Sequence, residues 1–99
     1  MENNKHIVQV AAECLDILLA ISRPEFRRLT VAEIAVETEL NKSKVYRLLR
    51  TLESRQLVRR KNEEWEVSPE TVKIADGFRR HIARKRAELE AQHQEYLGE

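Results

Sequence analysis

The sequence predicts a mainly α-helical domain with one small β-hairpin, followed by a long C-terminal helix. Apolar residues recur at three- and four-residue steps over most of the chain, which is typical of helices with one buried face. Residues 57–67 instead form two short strand-like segments separated by a polar turn. The 99 residues, 41% of them hydrophobic, suffice for one small core. This length excludes a large catalytic barrel or a doubly wound nucleotide-binding fold.

The first helix is expected over residues 6–22, with Asn3 or Asn4 as its cap and Pro24 closing it. Cys14 lies within its apolar face and has no accompanying base, which predicts a core residue rather than a nucleophile. One cysteine also excludes an internal disulfide and a Cys-rich zinc site. The apolar face is broad and comprises Ile7, Val10, Ala11, Cys14, Leu15, Ile17, Leu18 and Ile21.

A short second helix is expected to begin after Thr30, because Glu33 stands three residues on and completes a capping box. It is expected to end near Thr38 and Glu39, with Leu40 buried in the following turn. Glu39 occupies a turn position that usually holds glycine, and a positive φ there costs a glutamate about 1 kcal/mol.

The third helix, expected over residues 42–55 with Asn41 or Ser43 as its cap, separates an apolar stripe from a basic face. The stripe consists of Val45, Leu48, Leu49 and Leu52. The opposite face carries Lys42, Ser43, Tyr46, Arg47, Arg50 and Ser54, with Lys44 near its edge. Such a face can present hydrogen-bond donors to base edges and phosphates.

The hairpin is expected to comprise strands at residues 57–60 and 65–67, with Leu57, Trp65 and Val67 pointing inward. Trp65 is interpreted as a core anchor, with stacking on a base or sugar as its alternative. The turn at 61–64 contains no Asn-Gly or Asp-Gly pair, so the sequence does not predict its type.

Ser68 is expected to cap a final helix that begins at Pro69 and runs to about Tyr96, with Gly77 marking a break. Its apolar residues are Val72, Ile74, Ala75, Phe78, Ile82, Leu89 and Tyr96. We therefore divide the chain into a domain at 1–75 and a C-terminal helix at 76–99. The distal part of this helix is either a dimerisation surface or a solvated helix. The basic cluster at 79–86 is either a solvated face or a phosphate contact.

The formal net charge of +1 hides a strongly uneven distribution. Residues 42–61 carry eight basic side chains and one acidic side chain, a net charge of +7, whereas residues 1–41 and 62–77 are net −3 and −4. This segment indicates either a polyanionic partner on one face or a solvated basic helix.

The order helix, short helix, turn, basic helix and hairpin is that of a winged helix-turn-helix. Residues 8–18 and 29–35 also resemble the first two helices of the IclR family of bacterial transcription regulators, and the resemblance extends over about residues 7–75. The run Asn41-Lys42-Ser43-Lys44-Val45-Tyr46-Arg47-Leu48-Leu49 resembles that family's recognition helix, usually written Pro-Lys-Ser-Thr-Val-His-Arg-Leu-Leu. Asn41, Lys44 and Tyr46 depart from the family pattern.

The resemblance implies a transcription regulator that binds double-stranded DNA, with residues 42–44, 46 and 47 facing the major groove; we add Arg50 to this set. The wing tip, Asn62-Glu63-Glu64, is acidic, whereas a minor-groove tip favours arginine or lysine. We therefore expect Arg59, Arg60 and Lys61 to contact the DNA backbone. Family members usually carry an effector-binding domain for which this chain has no room. We thus expect no small-molecule effector, and either a stand-alone short regulator or a fragment.

A homodimer is expected on an inverted-repeat site, paired through the first helix, the C-terminal helix or both. The alternative function is a winged helix that binds proteins without specific DNA binding. An enzyme is not expected, because His6, His81 and His93 are scattered and no phosphate loop, metal-ligand spacing or nucleophile–base pair appears. We expect no cofactor, no metal and no membrane span, and a cytoplasmic location. RNA binding is disfavoured because exposed aromatic pairs for stacking are missing.

Overall fold

The computed structural model describes residues 4–98, with side chains from Lys5 onward. The predicted fold class, a winged helix-turn-helix with a long C-terminal helix, is confirmed. After a 3-10 turn at Asn4–His6, the elements are α1 (Gln9–Ser22), β1 (Leu29–Thr30), α2 (Val31–Thr38), α3 (Lys42–Ser54), β2 (Val58–Lys61), β3 (Glu64–Val67) and α4 (Pro69–Leu97).

The core lies between α1, α2, α3 and one face of the sheet, and the predicted apolar stripe of α3 is entirely buried in it. Trp65 is 1% exposed, which confirms its assignment to the core. Cys14 packs against this cluster with its thiol directed at the Leu48 carbonyl, and burial raises the pKa of the Cys14 thiol. The buried apolar residues are Ile17, Ile21, Leu29, Ile34, Val45, Leu48, Leu49, Leu52, Val58, Trp65 and Val67.

The helix-turn-helix pair begins as the sequence predicts. The Thr30 hydroxyl accepts a hydrogen bond from the Glu33 backbone N–H at 3.2 Å, and the Glu33 carboxylate accepts one from the Thr30 N–H at 2.9 Å. The Asn41 side-chain oxygen caps α3 by accepting from the Lys44 N–H at 2.8 Å, so Asn41 rather than Ser43 is the cap. Both caps satisfy backbone donors that the first helical turn leaves without partners.

The predicted start of α1 is wrong by three residues. Asn4 belongs to the preceding 3-10 turn, and Asn3 lies outside the described residues. The helix begins after Val8, whose backbone is extended and whose carbonyl accepts the Ala12 N–H at 3.0 Å. A side-chain cap therefore does not determine where α1 starts.

The sheet has three antiparallel strands in the order β1-β3-β2, so β3 is central. Leu29 pairs with Trp65, and Val58 pairs with Val67. The inward residue that opens β2 is therefore Val58, while Leu57 precedes the strand and packs partly buried against the core. Strand β1 could not be predicted from the sequence, because two residues are too few to show an alternating pattern.

The final helix, α4, runs unbroken for 29 residues, which corrects the predicted break at Gly77. A glycine inside a helix costs about 1 kcal/mol, too little to interrupt an otherwise continuous ladder of backbone hydrogen bonds. Ser68 precedes the helix, but its hydroxyl donates to the Gln56 carbonyl instead of capping α4. The Thr71 hydroxyl donates to the Leu57 carbonyl at 2.7 Å, and together these bonds fasten the first turn to the domain.

Beyond its first turn α4 leaves the domain, and none of its residues is buried. The molecule consequently measures 62 × 40 × 23 Å, with a radius of gyration of 19.3 Å. A compact domain of this length has a radius of gyration of about 13 Å. The helix is thus an arm projecting from a small globular unit.

The turn between α2 and α3 generates a stability prediction. Glu39 has φ 60° and ψ 29°, the left-handed conformation anticipated at this position. We expect Glu39→Gly to be more stable than Glu39→Ala by about 1 kcal/mol, because only glycine adopts this conformation without a Cβ penalty. Urea unfolding of the two variants measures the difference. Equal or lower stability of the glycine variant would show that the turn is unstrained.

Candidate nucleic-acid interface

The exposed face of α3 brings together most of the predicted recognition residues. Val45, Leu48 and Leu49 are buried on one side of the helix, which fixes the opposite side toward solvent. That exposed side carries Lys42, Ser43, Tyr46, Arg47 and Arg50. The helix-turn-helix therefore presents a contiguous polar and basic surface.

Lys44 does not belong to this surface. Its ammonium lies 2.8 Å from a carboxylate oxygen of Glu13 on α1, and Glu13 is 9% exposed. The Lys44 ammonium holds the pKa of the Glu13 carboxyl below its usual value against the opposing effect of burial. Lys44 thus ties α3 to α1. Glu13 is an acidic residue among the apolar residues of α1, and this position is the sequence feature that could have indicated the ion pair.

Tyr46 connects the recognition helix to the wing. Its ring lies edge-on to that of Trp65, with centroids 6.4 Å apart and an interplanar angle of 79°. Its hydroxyl accepts a hydrogen bond from Arg50 Nη1 at 3.2 Å, and Arg50 Nε lies 3.0 Å from Glu53 Oε1. Tyr46 remains 40% exposed, so it packs against Trp65 and still presents part of its surface to solvent.

The three predicted wing residues do not share one face of the sheet. Side chains alternate along a strand, and directly paired residues lie on the same face. Arg60 pairs with Trp65 and therefore lies on the helix-facing side of the sheet. Arg59 and Lys61 lie on the outer face.

Glu66 organises the outer face of the wing. One carboxylate oxygen lies 2.7 Å from Arg59 Nε, and the other lies 3.0 Å from Arg28 Nε. Arg59, and then Arg28, lower the pKa of the Glu66 carboxyl. Sequence reasoning missed Arg28, because its proximity to the wing depends on the pairing of β1 with β3.

Ion pairs reduce the effective charge of the basic segment at 42–61. Lys44, Arg50, Arg59 and Arg60 each have an acidic partner, and three of those partners, Glu13, Glu63 and Glu66, lie outside the segment. The basic residues of the segment without an ion pair in the described part of the chain are Lys42, Arg47, Arg55 and Lys61. These cations are the groups most available to an anionic partner.

The part of the chain that the structure describes, residues 4–98, contains no cluster of histidine, cysteine or carboxylate side chains suited to a metal ion. None of its helices combines the length and apolar character needed to cross a membrane.

The Lys44–Glu13 pair predicts a specific stability effect. We expect Lys44→Met to lower the Tm at pH 7 by several degrees, since it leaves the mostly buried Glu13 carboxylate without its cationic partner. Lys42→Met, on the exposed side of the same helix turn, is the matched control and should leave the Tm unchanged. Thermal unfolding followed by circular dichroism measures both.

The pH dependence of this effect has a definite sign. Because the folded-state pKa of Glu13 is lowered, the pair stabilises the fold above the ordinary glutamate pKa of about 4.3, and this contribution is lost as the pH falls through the lowered value. The Tm difference between wild type and Lys44→Met should therefore shrink on acidification. A difference that stays constant from pH 7 to pH 3 would contradict this assignment.

Comparison with known proteins gives a family match. The IclR helix-turn-helix domain matches residues 11–62, from α1 through the wing turn. An IclR transcriptional regulator from Alicyclobacillus acidocaldarius is 28% identical, with a TM-score of 0.64 over 70% of this chain and 28% of that chain. An IclR family transcriptional regulator from Brucella abortus is 25% identical, with a TM-score of 0.64 over 74% of this chain and 28% of that chain.

The chain thus spans little more than a quarter of the length of these two solved regulators. Comparison with curated proteins gives no match.

Proposed function

The chain belongs to the IclR helix-turn-helix family, and from this membership we propose that it is a transcription regulator that binds double-stranded DNA sequence-specifically. One observation carries the proposal: the family match at 11–62 contains the exposed cations without an ion pair in the described chain, Lys42 and Arg47 on α3 and Lys61 on the wing. A transcription regulator acts on chromosomal DNA, so we propose that the protein is located in the cytoplasm of a bacterial or phage-infected cell.

In this proposal α3 enters the major groove. Ser43 and Arg47 are placed to contact base edges, and Lys42 at the start of the helix is placed to contact a phosphate. Arg50 and Tyr46 form a prearranged pair on the same face. Arg60 is proposed to contact the DNA backbone beside α3. Arg59 and Lys61 are proposed to contact it from the outer face of the wing. Lys44 is left to its ion pair with Glu13.

We further propose that the protein acts as a homodimer on an inverted repeat. One recognition helix reads only a few base pairs, which is too few to select one site in a genome. Two symmetric copies place two such helices about one turn of DNA apart.

The most informative experiment is selection of bound sequences from a random pool of duplex DNA. We expect enrichment of one motif with an inverted repeat, bound at about 100 nM or tighter in moderate salt. The alternative function, a winged helix that binds proteins, is favoured by the long exposed helix α4. Failure to enrich any motif would support that alternative.

Arg47→Ala tests base recognition. We expect a loss of about 1–3 kcal/mol in binding to the selected site, because a bidentate contact to a guanine is worth that much. Arg23→Ala, an exposed cation just after α1 and outside the basic segment at 42–61, is the matched control and should bind nearly as wild type. Fluorescence anisotropy with labelled duplexes measures both. Unchanged affinity and unchanged sequence preference in Arg47→Ala would remove Arg47 from the interface.

Lys61→Ala tests the phosphate contacts. We expect weaker binding to all sequences alike, and a slope of log affinity against log salt that is shallower by about 0.9, the effect of one lost counterion release. Lys44→Ala should keep the wild-type slope, because its charge is already paired with Glu13. A Lys61→Ala protein with the wild-type slope would show that this side chain contacts no phosphate.

A further inference from the structure

The helix α4 has an apolar side that the rest of the described chain leaves uncovered. Ile82, Leu89 and Tyr96 recur at seven-residue steps, and Phe78 lies one turn before Ile82 on the same side. Leu89 is 67% exposed, and the helix contains no buried residue. Single helices in water are marginally stable, and most of their stability in proteins comes from packing one face against a partner.

The charges of α4 are divided along its length. Residues 78–87 contain five basic side chains and no acidic one, whereas residues 88–97 contain three acidic side chains and no lysine or arginine. Within the described chain Arg79 pairs with Asp76 and Lys85 with Glu88, but Arg80, Arg84 and Arg86 make no ion pair. Excess positive charge therefore remains in the first of these segments.

We infer that the apolar side of α4 is covered by α4 of a second copy, running antiparallel and centred at the level of Ala87. This deepens the homodimer of the proposed function, on which it rests, by assigning its surface and its orientation. Parallel pairing would set the basic segment of one copy beside that of the other, with helix axes about 8–10 Å apart. Salt screens this repulsion only in part, because the Debye length of about 8 Å is comparable to that separation.

Antiparallel pairing offsets these charges. With the twofold axis at the level of Ala87, Arg79 lies at the level of Glu95 of the other copy, and Arg86 lies at the level of its Glu88. The apolar residues Phe78 and Tyr96 lie at one level, and Leu89 lies at the level of Lys85, whose methylene stem can cover it while the ammonium reaches water. Antiparallel pairing would therefore cover the apolar side of α4 and set its basic segment beside the acidic segment of the other copy.

The interface is tested first by sedimentation of the full chain at micromolar concentration without DNA. We expect a dimer for the wild type and at least a tenfold weaker dimer for Leu89→Glu. Ala91→Glu adds the same charge on the opposite side of the helix and is the matched control, expected to dimerise as the wild type does. A wild-type monomer, or a Leu89→Glu dimer of undiminished strength, overturns the proposal.

The orientation is tested by dipolar electron paramagnetic resonance on singly spin-labelled chains in a Cys14→Ala background. Labels at Lys85→Cys, near the twofold level and toward the apolar side, should lie within about 15 Å of each other, whereas labels at His93→Cys should be separated by at least about 18 Å, the rise of twelve helical residues. Short distances at both positions indicate parallel helices and overturn the proposal. Both experiments omit DNA, so their failure is distinguishable from a failure of DNA binding.

Discussion

The burial of Trp65 is the interaction on which the arrangement of the site depends. It lies on the central strand, pairs with Leu29 on one side and Arg60 on the other, and is 1% exposed. A buried tryptophan removes about 150–250 Å² from water, the largest contribution available to a core this small. Because Tyr46 of α3 packs against the same ring, the sheet and the recognition helix hold one another in place. The relative position of helix and wing thus follows from the packing of the hydrophobic core.

The charged residues around this core have two different tasks. Lys44 and Arg59 each lie within 3 Å of a carboxylate that is mostly shielded from water, and these pairs join separate elements of the fold. Lys42, Arg47 and Lys61 have no such partner in the described chain and extend into solvent. A net charge of +7 counted along the sequence therefore overstates the charge offered to a polyanion, and the position of the free cations matters more than their number.

Features set by neighbouring residues could be predicted from the sequence. The capping box at Thr30 and Glu33, the left-handed Glu39 and the buried stripe of α3 each follow from contacts within one or two helical turns. Features set by distant parts of the chain could not be predicted. The Lys44–Glu13 pair depends on the packing of α3 against α1, and the position of Arg28 depends on a two-residue strand. The division of the wing residues between two faces required the strand register, which a one-residue error in the predicted β2 had obscured.

The shortness of the wing limits how far a single copy reaches along a duplex. Each of its strands has four residues, and they are joined by a turn at Asn62 and Glu63. Four strand residues extend about 13 Å, comparable to the width of one major groove. In the proposed complex with DNA, the footprint of one domain is therefore confined to the groove that would hold α3 and the sugar–phosphate strands on either side of it. Any longer operator has to be spanned by adding copies of the domain, because this hairpin cannot extend to a second groove.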